Sequence, residues 1–301
     1  DSLESETIEE QAYKLTGVRG TGKTVTLTAI EKRIRQNKNW IVTGVRSNGN
    51  IIEDIIANLY SEIPFLTAFI DANLNLTKFG IGVNLSQKSP VASLDYALKA
   101  ILTEVKKRNM RVLITIDEAR KTPSMVDFIQ EFQILIREEL PMFLIAAGLY
   151  EDVESIENAE GLTFFLRATK YEMTPLNHTF MRNDYEKTLG VTREVAEELA
   201  TITKGYAFAY QALGKYMWDL KAKKVTDEVL ILLDEALADK VYRKIWSELA
   251  PKDKWFLQYI VQKDRMSASE LLEITNKKHN EWSEPRKRLS EKGIINTKTR
   301  G

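Results

Sequence analysis

The sequence predicts an α/β protein: a three-layer αβα body on a parallel sheet, followed by helices. Three observations carry this. Short, near-continuous apolar runs alternate with longer stretches of helical periodicity through the first 174 residues. Continuous runs suit strands buried on both faces, and the strand–helix–strand order implies parallel strands with crossover helices. After Pro175 the periodicity is almost entirely helical.

The first strand is expected at Ala12–Leu15 and the second at Trp40–Val45, bounded by Asn39 and Arg46. Arg111–Asp117, reading Arg-Val-Leu-Ile-Thr-Ile-Asp, is the third. Met142–Ala147 is the fourth and stops at Gly148; Thr169–Met173 is the fifth, stopped by Pro175. Between them, Leu27, Ile30 and Ile34 share one helical face. Ile52, Ile55, Ile56 and Leu59 form a second such face, and Leu98, Ile101, Leu102 and Val105 a third. Phe128, Phe132 and Ile136 form a fourth, before the fourth strand. Phe79, Ile81, Val83 and Leu85 alternate at period two, which predicts a strand or small hairpin within Leu74–Leu85.

Further on, Val195–Ile202 reads as a helix stopped by Lys204-Gly205, and Tyr206–Leu220 as another. A long helix from Asp227 to Leu249 ends before Pro251. Three short helices and the apolar pair Ile294-Ile295 follow. The expected divisions are residues 1–174, 175–250 and 251–301.

Composition excludes several classes. The chain has 301 residues, with 44% hydrophobic and 29% charged, which is enough apolar material for a sizeable core and argues against disorder. It has no cysteine, so disulfides, thiolate nucleophiles and Cys-ligated zinc are ruled out; this fits a reducing cytoplasm. The two histidines, His178 and His279, lie far apart in sequence, which speaks against a His-based triad or a two-His metal site. The apolar run Met142–Tyr150 falls well short of the ~20 residues of a membrane span. The acidic opening Asp1–Glu6 does not have the pattern of a signal peptide. Lys plus Arg and Asp plus Glu are both 43, yet Lys252–Gly301 holds 12 basic against 7 acidic residues. A basic tail on an acidic body points to a polyanionic partner for the tail.

Gly17-Val18-Arg19-Gly20-Thr21-Gly22-Lys23-Thr24 fits G-x-x-x-x-G-K-[ST] at every position. A strand precedes it and an amphipathic helix follows, the context in which this string is a phosphate-binding loop. Glycines permit backbone angles and close approaches that a Cβ blocks, so the loop can turn its N–H groups inward as an anion nest. The helix starting near Lys23 adds the positive end of its dipole. Gly17, Gly20, Thr21 and Gly22 are expected to contribute backbone, and Lys23 to reach the β- and γ-phosphates. Thr24 is expected to hold Mg²⁺ through its hydroxyl.

The third strand ends in two carboxylates, Asp117 and Glu118. In open parallel sheets, ligands bind beyond the carboxyl ends of the strands. Asp117 is expected to help hold Mg²⁺, and Glu118 to orient or activate a water against the γ-phosphate. The second acid favours hydrolysis over small-molecule phosphorylation.

The loop and Ile116-Asp117-Glu118 resemble the Walker A and Walker B motifs of the additional-strand, catalytic-glutamate P-loop ATPases. Within that division the chain resembles AAA+/STAND ATPases related to archaeal origin initiators. Leu166-Arg167 before the fifth strand and Thr174-Pro175-Leu176 after it support this, as does Thr203-Lys204-Gly205-Tyr206-Ala207-Phe208, which resembles the glycine-centred lid motif. The resemblance implies a P-loop NTPase αβα sheet of order 5-1-4-3-2, a helical lid over 175–250 and a winged helix over 251–301. It also implies ATP and Mg²⁺ as cofactors, and Arg167 as an arginine finger supplied from a neighbouring subunit of a homo-oligomer; Arg19 and Arg120 are the alternatives. The lid motif lacks the arginine of related initiators, and Ala207 stands where STAND proteins often have proline. Gly148-Leu149-Tyr150 offers no Asn or Thr as a polar sensor. Slow or partner-dependent hydrolysis is the expectation.

In the tail, Asp253–Val261 is a helix with Trp255, Phe256, Tyr259 and Ile260 inward. Ser267 caps a second helix with Glu270 as its box partner. A third is expected to begin near Ser283, because Pro285 suits only a first turn. Gly293 ends it, Ile294-Ile295 begins a strand, and Lys298–Gly301 is half a wing. Trp246, Trp255 and Trp282 are expected in the core. If the third helix enters a major groove, Arg286, Lys287, Arg288 and Lys292 meet double-stranded DNA. A protein-interaction module or a packed cap are the other readings of this tail. The sequence thus points to an ATP-hydrolysing switch with no membrane partner. The alternatives are a nucleotide-gated interaction protein with negligible turnover and a DNA-binding regulator in which ATP is structural.

Overall fold

The structure, a computed structural model, describes residues 10–82, 93–263, 266–275, 279–295 and 297. They divide into two compact units. One holds the chain through Thr16 and from Lys23 to Glu172; the other holds Gly17–Gly22 and the chain from Met173 onward.

The first unit begins with β1 (Ala12–Thr16), α1 (Lys23–Ile34), β2 (Trp40–Arg46), α2 (Ile51–Glu62), α3 (Pro64–Asn73) and α4 (Leu94–Lys107). It continues with β3 (Arg111–Asp117), α5 (Pro123–Arg137), β4 (Met142–Gly148), α6 (Tyr150–Glu157), α7 (Thr163–Arg167) and β5 (Thr169–Glu172). All strands are parallel, in the order β2-β3-β4-β1-β5. This is the α/β fold and the 5-1-4-3-2 order expected above. Sequence runs and strands coincide within a residue or so because helices cover both faces. In β4 every residue from Met142 to Gly148 is buried. Ile55, Ile56, Leu98, Ile101, Ile114, Phe128, Phe132, Leu144 and Phe165 are fully buried in one core. Each such side chain contributes about 1.5–3 kcal/mol.

Helix starts follow from short polar side chains. Asn50, Ser93 and Thr122 accept hydrogen bonds from the backbone N–H groups of Glu53, Tyr96 and Met125. Each satisfies a donor that the first turn leaves open. Pro123 occupies the first position of α5, where no N–H is needed.

The second unit contains α8 (His178–Leu189), α9 (Arg193–Thr203), α10 (Ala207–Asp219), α11 (Asp227–Leu237), α12 (Arg243–Glu248), α13 (Pro251–Ile260), α14 (Ala268–Thr275) and α15 (His279–Glu291). Ala238–Tyr242 is π-helical and carries α11 into α12 without a break. Met181, Tyr185, Leu199, Leu213, Met217 and Leu233 form one core. The Tyr185 hydroxyl donates to the Tyr210 carbonyl at 2.7 Å, and burial pushes its pKa far up, so it stays a donor. Leu249, Phe256, Leu271, Trp282 and Leu289 form another core, in which the rings of Phe256 and Trp282 stack.

Several expectations are corrected. Leu74–Leu85 is no strand where it is described: Thr77–Phe79 is a 3₁₀ turn closed by Gly80. Leu74, Leu76 and Ile81 are buried because the chain crosses the core after α3, and left-handed glycines at 80 and 82 mimic strand alternation. Val83 and Leu85 lie outside the described residues. α15 begins at His279, a turn before Ser283, with Pro285 inside it. Trp282 and Leu289, seven residues apart and on one face, hold the helix in the core through the hydrogen bond that proline forfeits. Ile294 and Ile295 form a bend packed on that core and not a strand. Lys298–Gly301 lies outside the described residues. Trp246 is 44% exposed, with the Lys254 ammonium over its ring, and is not a core residue.

Candidate nucleotide site

The candidate residues fall in both units, and the residues of each unit are described by themselves. In the first unit, Thr24 is the second residue of α1 and Asp117 ends β3. The Thr24 hydroxyl donates to Asp117 Oδ2 at 2.6 Å. Asp117 Oδ1 accepts the backbone N–H of Glu118 at 2.9 Å. A hydroxyl whose proton is taken by a carboxylate keeps its lone pairs free for a cation. Hydroxyl plus carboxylate is the hard oxygen set that suits Mg²⁺, which usually keeps several waters and takes few protein ligands. Among the described residues no group of three or more His, Asp or Glu side chains offers a self-sufficient metal cage. The residues present therefore fit a cation that arrives with phosphate oxygens.

Glu118 has φ +51°, an uncommon backbone for a non-glycine residue. The Ser47 hydroxyl, in the loop after β2, donates to the Glu118 carbonyl at 2.8 Å. The Thr122 hydroxyl donates to the Ser47 carbonyl at 3.1 Å, and the Ile51 N–H donates to Ser124 Oγ at 3.0 Å. Three hydrogen bonds thus stitch the β2–α2 loop to the β3–α5 loop and hold the left-handed turn that presents Glu118. Its carboxylate is exposed and lies 3.4 Å from Arg120, which also faces Asp152 at 3.9 Å. Arg120 is thereby a partner of two acids.

Lys14 was not singled out by its sequence, although a lone lysine between Tyr13 and Leu15 in an apolar strand is a signal. It is only 1% exposed. Its ammonium donates to the carbonyls of Phe165 and Leu166 at 2.8 and 3.0 Å and pairs with Glu157 at 2.7 Å. All three donors are used, the condition on which a buried ammonium is tolerated. Both carbonyls lie at the end of α7, the Phe165 one also accepting the Ala168 N–H at 3.2 Å, and the ammonium so fixes the turn carrying Arg167. Arg167 itself is exposed and makes no ion pair among the described residues.

In the second unit, Gly20 and Gly22 have φ +77° and +92°. A Cβ on Gly20 would lie 2.0 Å from the Tyr206 hydroxyl, so both its angle and its lack of side chain are required. Thr21 Oγ1 donates to the Val18 carbonyl at 2.9 Å, tying the loop to itself. The Tyr206 hydroxyl donates to the Arg19 carbonyl at 2.7 Å, and the Phe208 N–H to the Gly20 carbonyl at 2.9 Å. Burial, with Tyr242 adding to it, pushes the Tyr206 hydroxyl up to about 12, so it remains a donor through the ordinary pH range. Arg19 pairs with Glu248 of α12 at 3.2 Å. Burial pushes the Glu248 carboxyl up, but hydrogen bonds from Lys244 and Arg19 outweigh it and bring the carboxyl below its usual range.

The tail candidates separate. Arg288 makes a fork on Asp253, with Nε at 3.0 Å from Oδ1 and a second bond from its NH2 nitrogen at 2.5 Å. Asp253 is 1% exposed. Arg288 is thus committed to joining α13 and α15. Arg286 and Lys287 are exposed, Lys287 lying 3.8 Å from Glu291. Lys292 is half-buried in the turn that ends α15.

No protein-family model and no curated protein matches the chain. Solved structures do. The Aeropyrum pernix ORC2 protein in ADPNP–ADP complexes is similar with a TM-score of 0.57 at 13% identity, over 95% of this chain and 80% of that one. The ADP form of the same protein gives 0.50 at 13% identity, over 95% and 81%. The Aeropyrum pernix ORC1 protein in complex with DNA gives 0.50 at 15% identity, over 97% and 80%. The chain therefore shares the fold of these ORC1 and ORC2 proteins.

Proposed function

We propose that the chain binds Mg·ATP at Gly17–Thr24, hydrolyses it, and acts as a switch that reports the nucleotide to residues 251–301. The Thr24–Asp117 hydrogen bond carries this reading, because it joins the two motifs whose residues hold the cation in a P-loop site. The loop N–H groups and Lys23 bind the phosphates. Thr24 and Asp117 would hold Mg²⁺, which would supply positive charge against the phosphates. Glu118 orients a water for in-line attack and takes up its proton. Residues 175–250 serve as a helical lid and 251–301 as a winged helix that engages double-stranded DNA or a protein. Arg167 completes the site of a neighbouring copy in a homo-oligomer; such a finger adds ~10³–10⁵ to the rate in other NTPases. The similar ORC2 structures, solved with ADPNP and ADP, support a nucleotide in this fold, and the ORC1 complex supports DNA as a partner.

Calorimetry with Mg·ATP and a phosphate-release assay, with and without duplex DNA, test this. Heat of binding and phosphate release are expected from the full chain. Lys23→Ala is expected to abolish binding, and Glu118→Gln to keep binding while losing turnover. Retained affinity in Lys23→Ala overturns the phosphate assignment. A second reading, nucleotide-gated binding without turnover, is favoured by Gly148-Leu149-Tyr150, where the polar sensor is absent. Binding with no phosphate release under either condition would establish it.

A further inference from the structure

We infer that Tyr206 is a positioning residue for the phosphate loop: with the N–H of Phe208, it aims two of the loop's N–H donors at the bound phosphates. The inference rests on the nucleotide reading above and adds a residue and a mechanism to it.

The reasoning starts from peptide geometry. In a trans peptide, the C=O of one residue and the N–H of the next point in opposite directions across a rigid plane. No described peptide is cis. Fixing a carbonyl therefore fixes the direction of the following N–H. The Arg19 carbonyl is held by the Tyr206 hydroxyl at 2.7 Å, so the Gly20 N–H points to the side away from Tyr206. The Gly20 carbonyl is held by the Phe208 N–H at 2.9 Å, so the Thr21 N–H also points away from the start of α10. Two consecutive donors of the nest are thereby set by residues from one turn of the chain, Tyr206 to Phe208.

Three further features make this a built arrangement. Gly20 has no side chain and a left-handed φ, which lets the Tyr206 hydroxyl sit where a Cβ would be. The Gly205 carbonyl accepts the Leu176 N–H at 2.8 Å, and Gly205 itself is left-handed, so the turn presenting Tyr206 is anchored on its other side. The Arg19 side chain pairs with Glu248 of α12 at 3.2 Å, so the residue whose carbonyl Tyr206 holds is also fixed through its guanidinium. The lid motif here has no arginine, and the same motif reaches the loop through a tyrosine hydroxyl and a backbone amide. The nucleotide would sense this segment through the loop backbone and not through a charge placed on the γ-phosphate.

The test uses the full chain and Tyr206→Phe, which removes one oxygen and keeps the ring. Calorimetry with Mg·ATP is expected to give about tenfold weaker binding, the size of one lost hydrogen bond to a part-buried carbonyl. The thermal midpoint without nucleotide is expected to stay within about 4 °C of wild type, the shift that ~1 kcal/mol can produce. In ¹⁵N–¹H spectra, Gly20 and Thr21 amides of the wild type are expected to move on adding Mg·ATP, with the Gly20 shift reduced in Tyr206→Phe. Wild-type affinity in Tyr206→Phe, with Lys23→Ala unable to bind, overturns the inference and leaves the nucleotide reading standing. Wild-type affinity in Lys23→Ala overturns the nucleotide reading itself. If Tyr206→Phe melts early, the wild-type spectra decide: unmoved Gly20 and Thr21 amides overturn the inference.

Discussion

Thr24 gives its hydroxyl proton to Asp117 across 2.6 Å, a bond between residues 93 positions apart in sequence. It ties the start of α1 to the end of β3 and leaves the threonine lone pairs available to a cation. Thr24→Val removes both the donor and the lone pairs, while Asp117→Asn keeps a polar partner but no charge. Both variants are expected to lose most of the Mg²⁺ dependence of ATP binding, Thr24→Val more completely. Calorimetric titrations with ATP at several Mg²⁺ concentrations measure this. Equal Mg²⁺ dependence in wild type and Thr24→Val would remove the pair from the cation site.

Ser47 holds the carbonyl of Glu118 in a left-handed turn. Ser47→Ala takes away that hydrogen bond and leaves the carboxylate in place. Phosphate release is expected to fall by about fivefold, with ATP affinity unchanged, because ~1 kcal/mol of positioning is lost. In a Glu118→Gln background the same change is expected to cost nothing further, since the group being positioned is already inactive. An additive loss in the double variant would show that Ser47 acts elsewhere.

The three basic residues 286–288 are expected to behave differently from one another. Arg288→Met strands the buried Asp253 carboxylate and is expected to destabilise by about 3–5 kcal/mol. Arg286→Ala and Lys287→Ala, both at exposed positions, are expected to change stability by less than about 0.5 kcal/mol. If the tail binds duplex DNA, each of these two lowers the salt dependence of affinity by about one phosphate contact. Urea melts and fluorescence titrations over a range of salt separate the two behaviours; an Arg288→Met chain as stable as wild type would show that the Asp253 fork has no structural weight.

Glu270 closes a reciprocal capping box. Ser267 Oγ accepts the Glu270 N–H at 3.3 Å, and Glu270 Oε2 accepts the Ser267 N–H at 2.8 Å. The Lys263 ammonium, at 2.7 Å, and the bonds from Ser267 hold its carboxyl down from the ordinary 4.5 to about 2. A depressed folded pKa gives stability that is complete above about 4.5 and fades as pH falls toward about 2. The stability gap between wild type and Glu270→Gln is therefore expected to be constant near neutrality and to close through that window. Urea unfolding at stepped pH measures it, and a gap that ignores pH would contradict the assignment.

The strands were legible because burial on both sides makes them continuously apolar, and Arg111–Asp117 and Met142–Gly148 are the clearest cases. Gly20 and Gly22 were legible as turn residues because both take a positive φ that a side chain disfavours, and Asp117 was legible as a strand end because the apolar run stops there. The supporting contacts were not. Ser47, Tyr206 and Lys14 act on carbonyls, and any residue can supply a carbonyl, so no sequence pattern marks the partner. Pro285 misled for a related reason. Its local cost is real, but Trp282 and Leu289 pack into a core assembled from distant segments and override it. Arg288 read as one of three surface cations because the buried acid that claims it lies 35 positions earlier.

The π-helical stretch Ala238–Tyr242 has a consequence for azimuth. A π turn carries an additional residue, so whatever follows is rotated by the arc of a single α-helical step, about 100°. Trimming one residue from this stretch would re-phase α12 and swing Glu248 round to another side of its helix. The counter-charge of Arg19, 229 positions away along the chain, is thus selected by a miscount in a helix.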